Sequence, residues 1–312
     1  MSTSTPTRPP VERAAVKQRP GDRVFRGTAT AAALSILVIL AGVAAFLLWQ
    51  AAPALVADSA EIGGGQGFTL YVLPLVFGTV LSSALALIIG APLGIGIALF
   101  ITHYAPRKLA APLGYVIDLL AAIPSIVYGL WGVFVFAPAL VPVYAWLGTH
   151  LSWVPLFAGP VSSGRTMLTA GLVLAVMILP VITALSREVF RQTPTLQQEA
   201  ALALGATRWE MIKYAVIPYG KSGVVAASML GLGRALGETM AVAAVLSVAG
   251  GVTFNLISTQ NPGTIAANIA LQFPESSGLG VNLLIATGLV LFVLTFLVNF
   301  AARAIVARSS KG

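Results

Sequence analysis

The sequence predicts an all-α integral membrane protein of six transmembrane helices with both termini in the cytoplasm. Three observations lead there. Apolar residues make up 57% of the chain and charged ones only 9%, whereas a soluble domain carries roughly 25% charge. Six segments are apolar over the ~20 residues that a bilayer-spanning helix needs, at roughly 29–50, 70–102, 111–140, 167–186, 224–249 and 281–306. The basic residues fall in alternate connections. One set holds Arg8, Arg13, Lys17, Arg19, Arg23 and Arg26 in the N-terminal tail, Arg107 and Lys108, then Arg187, Arg191, Arg208, Lys213 and Lys221, and finally Arg303, Arg308 and Lys311. The intervening connections hold Arg165 alone. Lys and Arg accumulate on the cytoplasmic side of a membrane, so both termini are placed there and the protein is multi-pass in the cytoplasmic membrane.

Residues 1–28 form a basic cytoplasmic tail, and 1–20, rich in Pro, Ser, Thr and charge, are expected to be disordered. The first apolar run is too long for the ~7–15-residue core of a signal peptide, so it is a retained helix despite the small residues Ala52, Pro53 and Ala54. Gly63, Gly64 and Gly65 make the next connection flexible. The second and third spans are longer than a bilayer requires and contain Pro74, Pro92, Pro124 and Pro138, so kinks or breaks are expected. The external 141–166 connection carries Trp146, Trp153, Pro155 and Pro160, which suits an interfacial aromatic belt or a partner contact. Residues 29–307 are read as one six-helix domain, and 308–312 as a short cytoplasmic end.

The 187–223 connection has helix signals of its own. Pro194 precedes Thr195-x-x-Gln198, which fits a capping box. The helical run Glu199-Ala200-Ala201-Leu202-Ala203-Leu204 follows, and Gly205 ends it where a positive φ is wanted. Thr207-x-x-Glu210 is a second capping box ahead of Arg208, and its helix is expected to run to Ile217 before Pro218. Two short helices meeting at a glycine elbow are marginal in water alone. They need the membrane bundle on one side, and either solvent or a partner on the other.

Arg234 and Glu238 stand near the start of the fifth span. An ionisable pair in a membrane segment is a functional-site candidate by default. Their i, i+4 spacing puts them on one face of a continuous helix. Gly231, Gly233 and Gly237 leave room beside the guanidinium, whose planar fork suits a tetrahedral oxyanion. Two readings stay open: Arg234 lines an anion path that Glu238 tunes, or the pair locks two helices. Asp118, near the start of the third span, pairs with Arg107, Lys108 or Arg234, or faces interfacial water. Ser125 and Tyr128, beyond Pro124, offer hydroxyls either to a path or to helix packing, and Pro124 frees a carbonyl that needs a partner.

Several classes are excluded. With no cysteine and two histidines, His103 and His150, on opposite sides of the membrane, the chain has no Cys- or His-based metal centre, and no acid–base cluster for a polytopic membrane enzyme. It has no Gly-x4-Gly-Lys-Ser/Thr loop and so does not hydrolyse ATP itself. The basic charge marks topology and an anionic lipid surface, with no basic stripe for nucleic acid.

Glu199-Ala200-Ala201-x3-Gly205, followed by Ile217-Pro218, resembles the EAA loop of bacterial ABC importer permeases of the type I, MetI-like fold. Ala215 stands where that pattern favours a larger aliphatic residue. The resemblance implies that this loop docks on a cytoplasmic ATPase, through Glu199, Ala200, Ala201, Gly205, Thr207, Arg208 and Pro218. Residues 121–132, AAIPSIVYGLWG, and 231–242, GLGRALGETMAV, resemble the third- and fifth-helix signatures of the PstC family of phosphate importer permeases. The resemblance extends from about residue 21 through the last helix. The paralogous PstA family shares the Arg…Gly-Glu-Thr core but fits these strings less well. The resemblance implies a translocation path containing Arg234 and Glu238, a PstA-like permease completing the pore, a PstB-like ATPase dimer and a PstS-like phosphate-binding protein. It also implies no cofactor in this chain, with ATP and Mg bound by the ATPase. The rival readings are a permease of the same architecture for phosphonate, sulfate or molybdate, or the PstA-type subunit. A passive channel would not need the elbow.

Overall fold

The computed structural model describes residues 20–62, 65–158, 161 and 163–309. The tail expected to be disordered, apart from Pro20, lies outside the described residues, as do Gly63, Gly64 and Pro160 of the expected external connections. The chain divides into two units, residues 1–46 and 47–312. The described part of the first unit is one helix, the start of α1 (Pro20–Val56). It begins earlier than the expected residue 29. Pro20 supplies a preset φ at the first helical position, and Asp22 lies in the first turn, where the helix dipole favours an acid.

The second unit continues α1 and adds α2 (Gly67–Leu99), α3 (Arg107–Ala121), α4 (Ser125–Trp131), α5 (Ala137–His150), α6 (Met167–Arg191), α7 (Thr195–Ala203), α8 (Arg208–Met211), α9 (Ile217–Leu236), α10 (Met240–Val245), α11 (Ile265–Gln272) and α12 (Leu279–Ser309). Six stretches are long and apolar enough to cross a membrane: Pro20–Val56, Gly67–Tyr104, Ser125–His150, Met167–Arg191, Arg208–Leu236 and Leu279–Ala304. The number matches the sequence reading, but two positions do not. The third span is Ser125–His150, not 111–140, because the chain breaks at Pro124 and α3 is a separate amphipathic helix. Trp146 therefore belongs to α5 rather than to a connection. The fifth span begins at Arg208 and its long helix stops at Leu236, instead of running 224–249.

Prolines explain much of this segmentation. α2 runs unbroken through Pro74 and Pro92. At three places the chain widens into a π-helical turn two residues before a proline: Phe100–Tyr104 before Pro106, Gly132–Phe136 before Pro138, and Ile212–Val216 before Pro218. In each, the amide after the turn bonds five residues back, Ala105 to Phe100, Ala137 to Gly132 and Ile217 to Ile212. A proline lacks the N–H of the next α-helical rung and crowds the carbonyl four residues earlier, and a π-turn gives local slack in the ladder. Pro218 therefore does not end a helix, as the sequence suggested. It sits in the first turn of α9, which continues directly from the turn before it.

Helices α2, α6 and α9 form the centre through small residues. Between apolar helices in lipid, close van der Waals packing replaces the hydrophobic drive. A Cβ on Gly90 would lie 3.0 Å from Ile178, one on Gly171 2.8 Å from Leu85, and one on Gly231 2.8 Å from Ile182. Around them lie buried Val173, Leu174, Met177, Ile178 and Ile182. The irregular stretch from Leu246 to Thr264 is also buried in part, and side chains satisfy its backbone. Asn261, fully buried, accepts from the Met167 amide at 3.1 Å and donates to the carbonyls of Ser247 at 3.1 Å and Arg165 at 3.3 Å. Thr79 accepts from the Ile265 amide at 3.0 Å.

The closest approach of α4 to α10 is at Gly129, where a Cβ would sit 2.8 Å from Ala241 Cα. Gly129→Ala is expected to destabilise the purified protein by about 1–3 kcal/mol through overpacking, read as a lower Tm in detergent. Gly96→Ala, with nothing within 4 Å of the added carbon, is the matched control and leaves Tm unchanged or raised.

Candidate functional site

The fifth span is broken where its two charges lie. α9 ends at Leu236, and the Gly237 amide closes it onto Gly233 O at 3.3 Å. The chain restarts as α10 two residues after Glu238. Arg234 and Glu238 therefore do not share a helix face, contrary to the sequence expectation, and no ion pair within 4.0 Å joins them. The Glu238 carboxylate has a different partner. It is buried, and Oε1 accepts the Ala241 amide at 3.0 Å. An acid here satisfies an N–H that would otherwise be orphaned at the α10 N-terminus, and the helix dipole favours it.

The other end of α10 is held by a base. Arg165 Nη2 donates to Ala244 O at 2.9 Å. Opposite charges thus clamp a six-residue helix, each at the end its dipole prefers. Sequence reading missed this use of Arg165, because an Arg 79 residues from its acceptor carries no local signal.

Arg234 is half-buried. It lines a cavity of about 830 Å³ with Val181, Ser222, Met229, Asn299 and Arg303, and none of the lining residues is acidic. Its guanidinium is within electrostatic reach of Tyr128. The Tyr128 hydroxyl, for which the sequence left a path or helix packing open, has a backbone partner. It donates to Leu120 O at 2.8 Å. That carbonyl is the one Pro124 leaves without its helical partner, so Tyr128 closes the break that the proline opens. Ser125, half-buried, starts α4 just beyond. Just beyond the break, α4 packs on α10 through Gly129.

The Asp118 partner that the structure shows is not one of those the sequence offered. Asp118 meets Arg187 of α6 at 3.2 Å. Sequence reading assigned Arg187 to a connection; α6 runs on to Arg191 and carries it.

The elbow forms a second group of candidate residues. Thr207 and Glu210 make the expected capping box: Thr207 Oγ1 accepts the Glu210 amide at 3.3 Å, and Glu210 Oε2 accepts the Thr207 amide at 2.8 Å. Thr195 does not cap. Pro194 takes the N-cap position, and Gln198 instead donates to Thr193 O at 3.1 Å. Gly205 has a φ of +86°, a conformation open to glycine. Glu199, Ala200, Thr207, Arg208 and Pro218 are exposed, and Ala201 packs against buried Phe190, Met211, Ile212 and Val216. Leu204, 90% exposed, and the exposed Leu196 and Trp209 add an apolar ridge to the elbow's outer face.

The cap at Glu238 is testable apart from any transport role. Glu238→Gln keeps an acceptor for the Ala241 amide, whereas Glu238→Ala removes it. Loss of such a cap costs about 1 kcal/mol, so Glu238→Ala is expected to lower Tm measurably and Glu238→Gln much less.

Residues 90–311 match the family of binding-protein-dependent transport system inner membrane components. The chain is 49% identical over 314 aligned residues to "Phosphate transport system permease protein PstC 2" of Mycobacterium tuberculosis, covering 96% of each chain. It is 47% identical to "Phosphate transport system permease protein PstC" of Mycobacterium leprae, over 91% of this chain and 92% of that one. Among solved structures, a chain of the inward-facing MetNI methionine ABC transporter aligns with a TM-score of 0.50 at 18% identity, over 76% of this chain and 93% of that one, which supports the fold. With six spans, the two helix signatures and this likeness along nearly its whole length, the chain belongs to the multi-pass inner-membrane permease components of binding-protein-dependent ABC importers, in the PstC group of phosphate transport system permeases.

Proposed function

We propose that this chain is one half of the membrane pore of an ATP-driven importer of inorganic phosphate, and that Arg234 lines the path. The observation that carries the reading is the guanidinium of Arg234, in no ion pair among the described residues, beside an 830 Å³ cavity with no acid in its lining. A charge in a membrane helix is costly without compensation. Glu238, the nearest acid in sequence, is committed to the α10 amide at 3.0 Å. An anion passing through the cavity supplies the missing partner, and a guanidinium meets a phosphate with two parallel donors. The site holds the ion weakly enough to release it, as transport requires. In this reading Ser125, at the start of α4, and Tyr128, which bonds Leu120 O across the Pro124 break, also belong to the path.

Both termini and the elbow face the cytoplasm in this reading, by the distribution of Lys and Arg. A PstA-like permease completes the pore, and a PstS-like protein delivers phosphate from outside. A PstB-like ATPase dimer, which binds ATP and Mg, docks on the exposed face around Glu199, Ala200, Leu204, Gly205 and Arg208. The chain itself carries no cofactor and performs no hydrolysis.

In proteoliposomes holding the full complex, phosphate uptake is expected to require ATP and the binding protein and to resist excess sulfate. Uptake driven or blocked by sulfate in place of phosphate would make the permease one for another oxyanion. Arg234→Gln is expected to lower phosphate uptake at least about tenfold, the loss of one charge-assisted contact of about 1.5–3 kcal/mol, with the complex still assembled. Normal transport by the double variant Arg234→Gln, Glu238→Gln would exclude both side chains from the path.

The elbow gives a separate expectation. The carbon added in Gly205→Val meets nothing within 4 Å, but the backbone at φ +86° is strained for any side chain. The variant is expected to reach the membrane and hydrolyse ATP while importing little phosphate. Wild-type uptake would show that the elbow's shape is not used in coupling.

A further inference from the structure

A pair of charges away from Arg234 links the elbow to the broken helices. Arg187, one turn before the end of α6, donates from Nη2 to both oxygens of Asp118 on α3, at 3.3 and 3.2 Å. Its guanidinium crosses α3 over Gly114, one turn before Asp118, and a Cβ at Gly114 would overlap Arg187 Nη1. The glycine is thus a notch through which the side chain reaches its acid. The Arg187 side chain is 13% exposed, and its Nε is buried with no partner. An exposed pair free to find its own geometry contributes about 0–1 kcal/mol, but this one is built into the contact between two helices.

Both ends of the pair lead somewhere. Two residues after Asp118, the Leu120 carbonyl takes the Tyr128 hydroxyl at 2.8 Å across the Pro124 break. Tyr128 precedes Gly129, on which α10 rests. In the other direction, Arg187 is followed by Phe190, buried with Met211, Ile212 and Val216 against Ala201 of the elbow helix. One run of packing and hydrogen-bond contacts therefore leads from α7 through the cluster of Phe190, Ile212 and Val216 to α6, α3, α4 and α10, and the Arg187–Asp118 pair is its charged joint. We infer that Arg187 and Asp118 are positioning residues that transmit movement of the elbow to the α4–α10 pair, with Gly114 seating the joint. The inference rests on the proposed import function and on the elbow as its ATPase-docking segment.

The test uses the assembled complex in proteoliposomes, with phosphate imported and ATP hydrolysed measured in the same vesicles. Asp118→Asn removes the charge, Gly114→Val fills the notch with both charges kept, and Asp118→Glu preserves the joint. Asp118→Asn and Gly114→Val are expected to hydrolyse ATP near the wild-type rate but to import roughly 2- to 30-fold less phosphate per ATP, the span of coupling changes of this kind. Asp118→Glu is expected to recover most of the ratio. A wild-type ratio in both disruptive variants overturns the inference. So does a proportionate fall in hydrolysis and import, or loss of the assembled complex, either of which makes the pair structural. A wild-type complex that imports no phosphate would instead refute the import function itself.

Discussion

A backbone amide or carbonyl left unbonded in hydrocarbon costs several kcal/mol, and that constraint shapes every interruption in this chain. At three of these interruptions a particular side chain takes up a backbone group. Tyr128 takes the Leu120 carbonyl at the Pro124 break, Glu238 takes the Ala241 amide after Gly237, and Arg165 takes the Ala244 carbonyl at the far end of α10. Asn261, in the buried irregular stretch, ties the Ser247 carbonyl of that stretch to the Met167 amide and the Arg165 carbonyl outside it. The polar residues of the spans are thus first of all the means by which non-helical backbone exists at membrane depth.

That order of duties changes the meaning of the charged residues. A salt bridge between Arg234 and Glu238 would have neutralised both and left a locked, inert pair. Breaking the helix at Gly237 separates them. The acid is used up as a cap, and the base is left beside a cavity with a second base, Arg303, in its lining. Two cations and no acid around one space make it a favourable place for an anion, and the neighbouring helix break makes it a place where backbone can rearrange. One break in the fifth span therefore supports both features that the proposed transport step needs.

The number of spans and the elbow were legible because each rests on local rules. Apolar length sets a span, and Thr207 with Glu210 or Gly205 with its positive φ are signals within a few residues. The positions of the third and fifth spans were misread for one reason. Hydropathy averages over a window and does not register a proline or glycine that divides an apolar run, so 111–140 and 224–249 looked continuous. The Arg234–Glu238 pair failed with it, since i, i+4 geometry presumes an unbroken helix. The partners of Asp118 and Arg165 lie 69 and 79 residues away, and nothing in residue type or spacing encodes those meetings before the helices are packed.

The distribution of rigid and broken elements also limits how such a molecule moves. α2, α6 and α9 are in contact through glycines whose Cβ positions are already occupied by Leu and Ile side chains. Close-packed interiors shift between discrete arrangements rather than deform smoothly, so these three helices move as a body. The joints lie at their margins: the 122–124 break, the Gly237 break, and the π-turn at Ile212–Val216 where the elbow enters α9. A push on α7 cannot be absorbed at Ala201, which is packed into buried Phe190, Ile212 and Val216. It meets the π-turn at Ile212–Val216 and the α6 residue Phe190 first, and the 122–124 and Gly237 breaks lie further along those paths. The regular helix ladder is already interrupted at all three joints, and a push from the elbow meets its least resistance there.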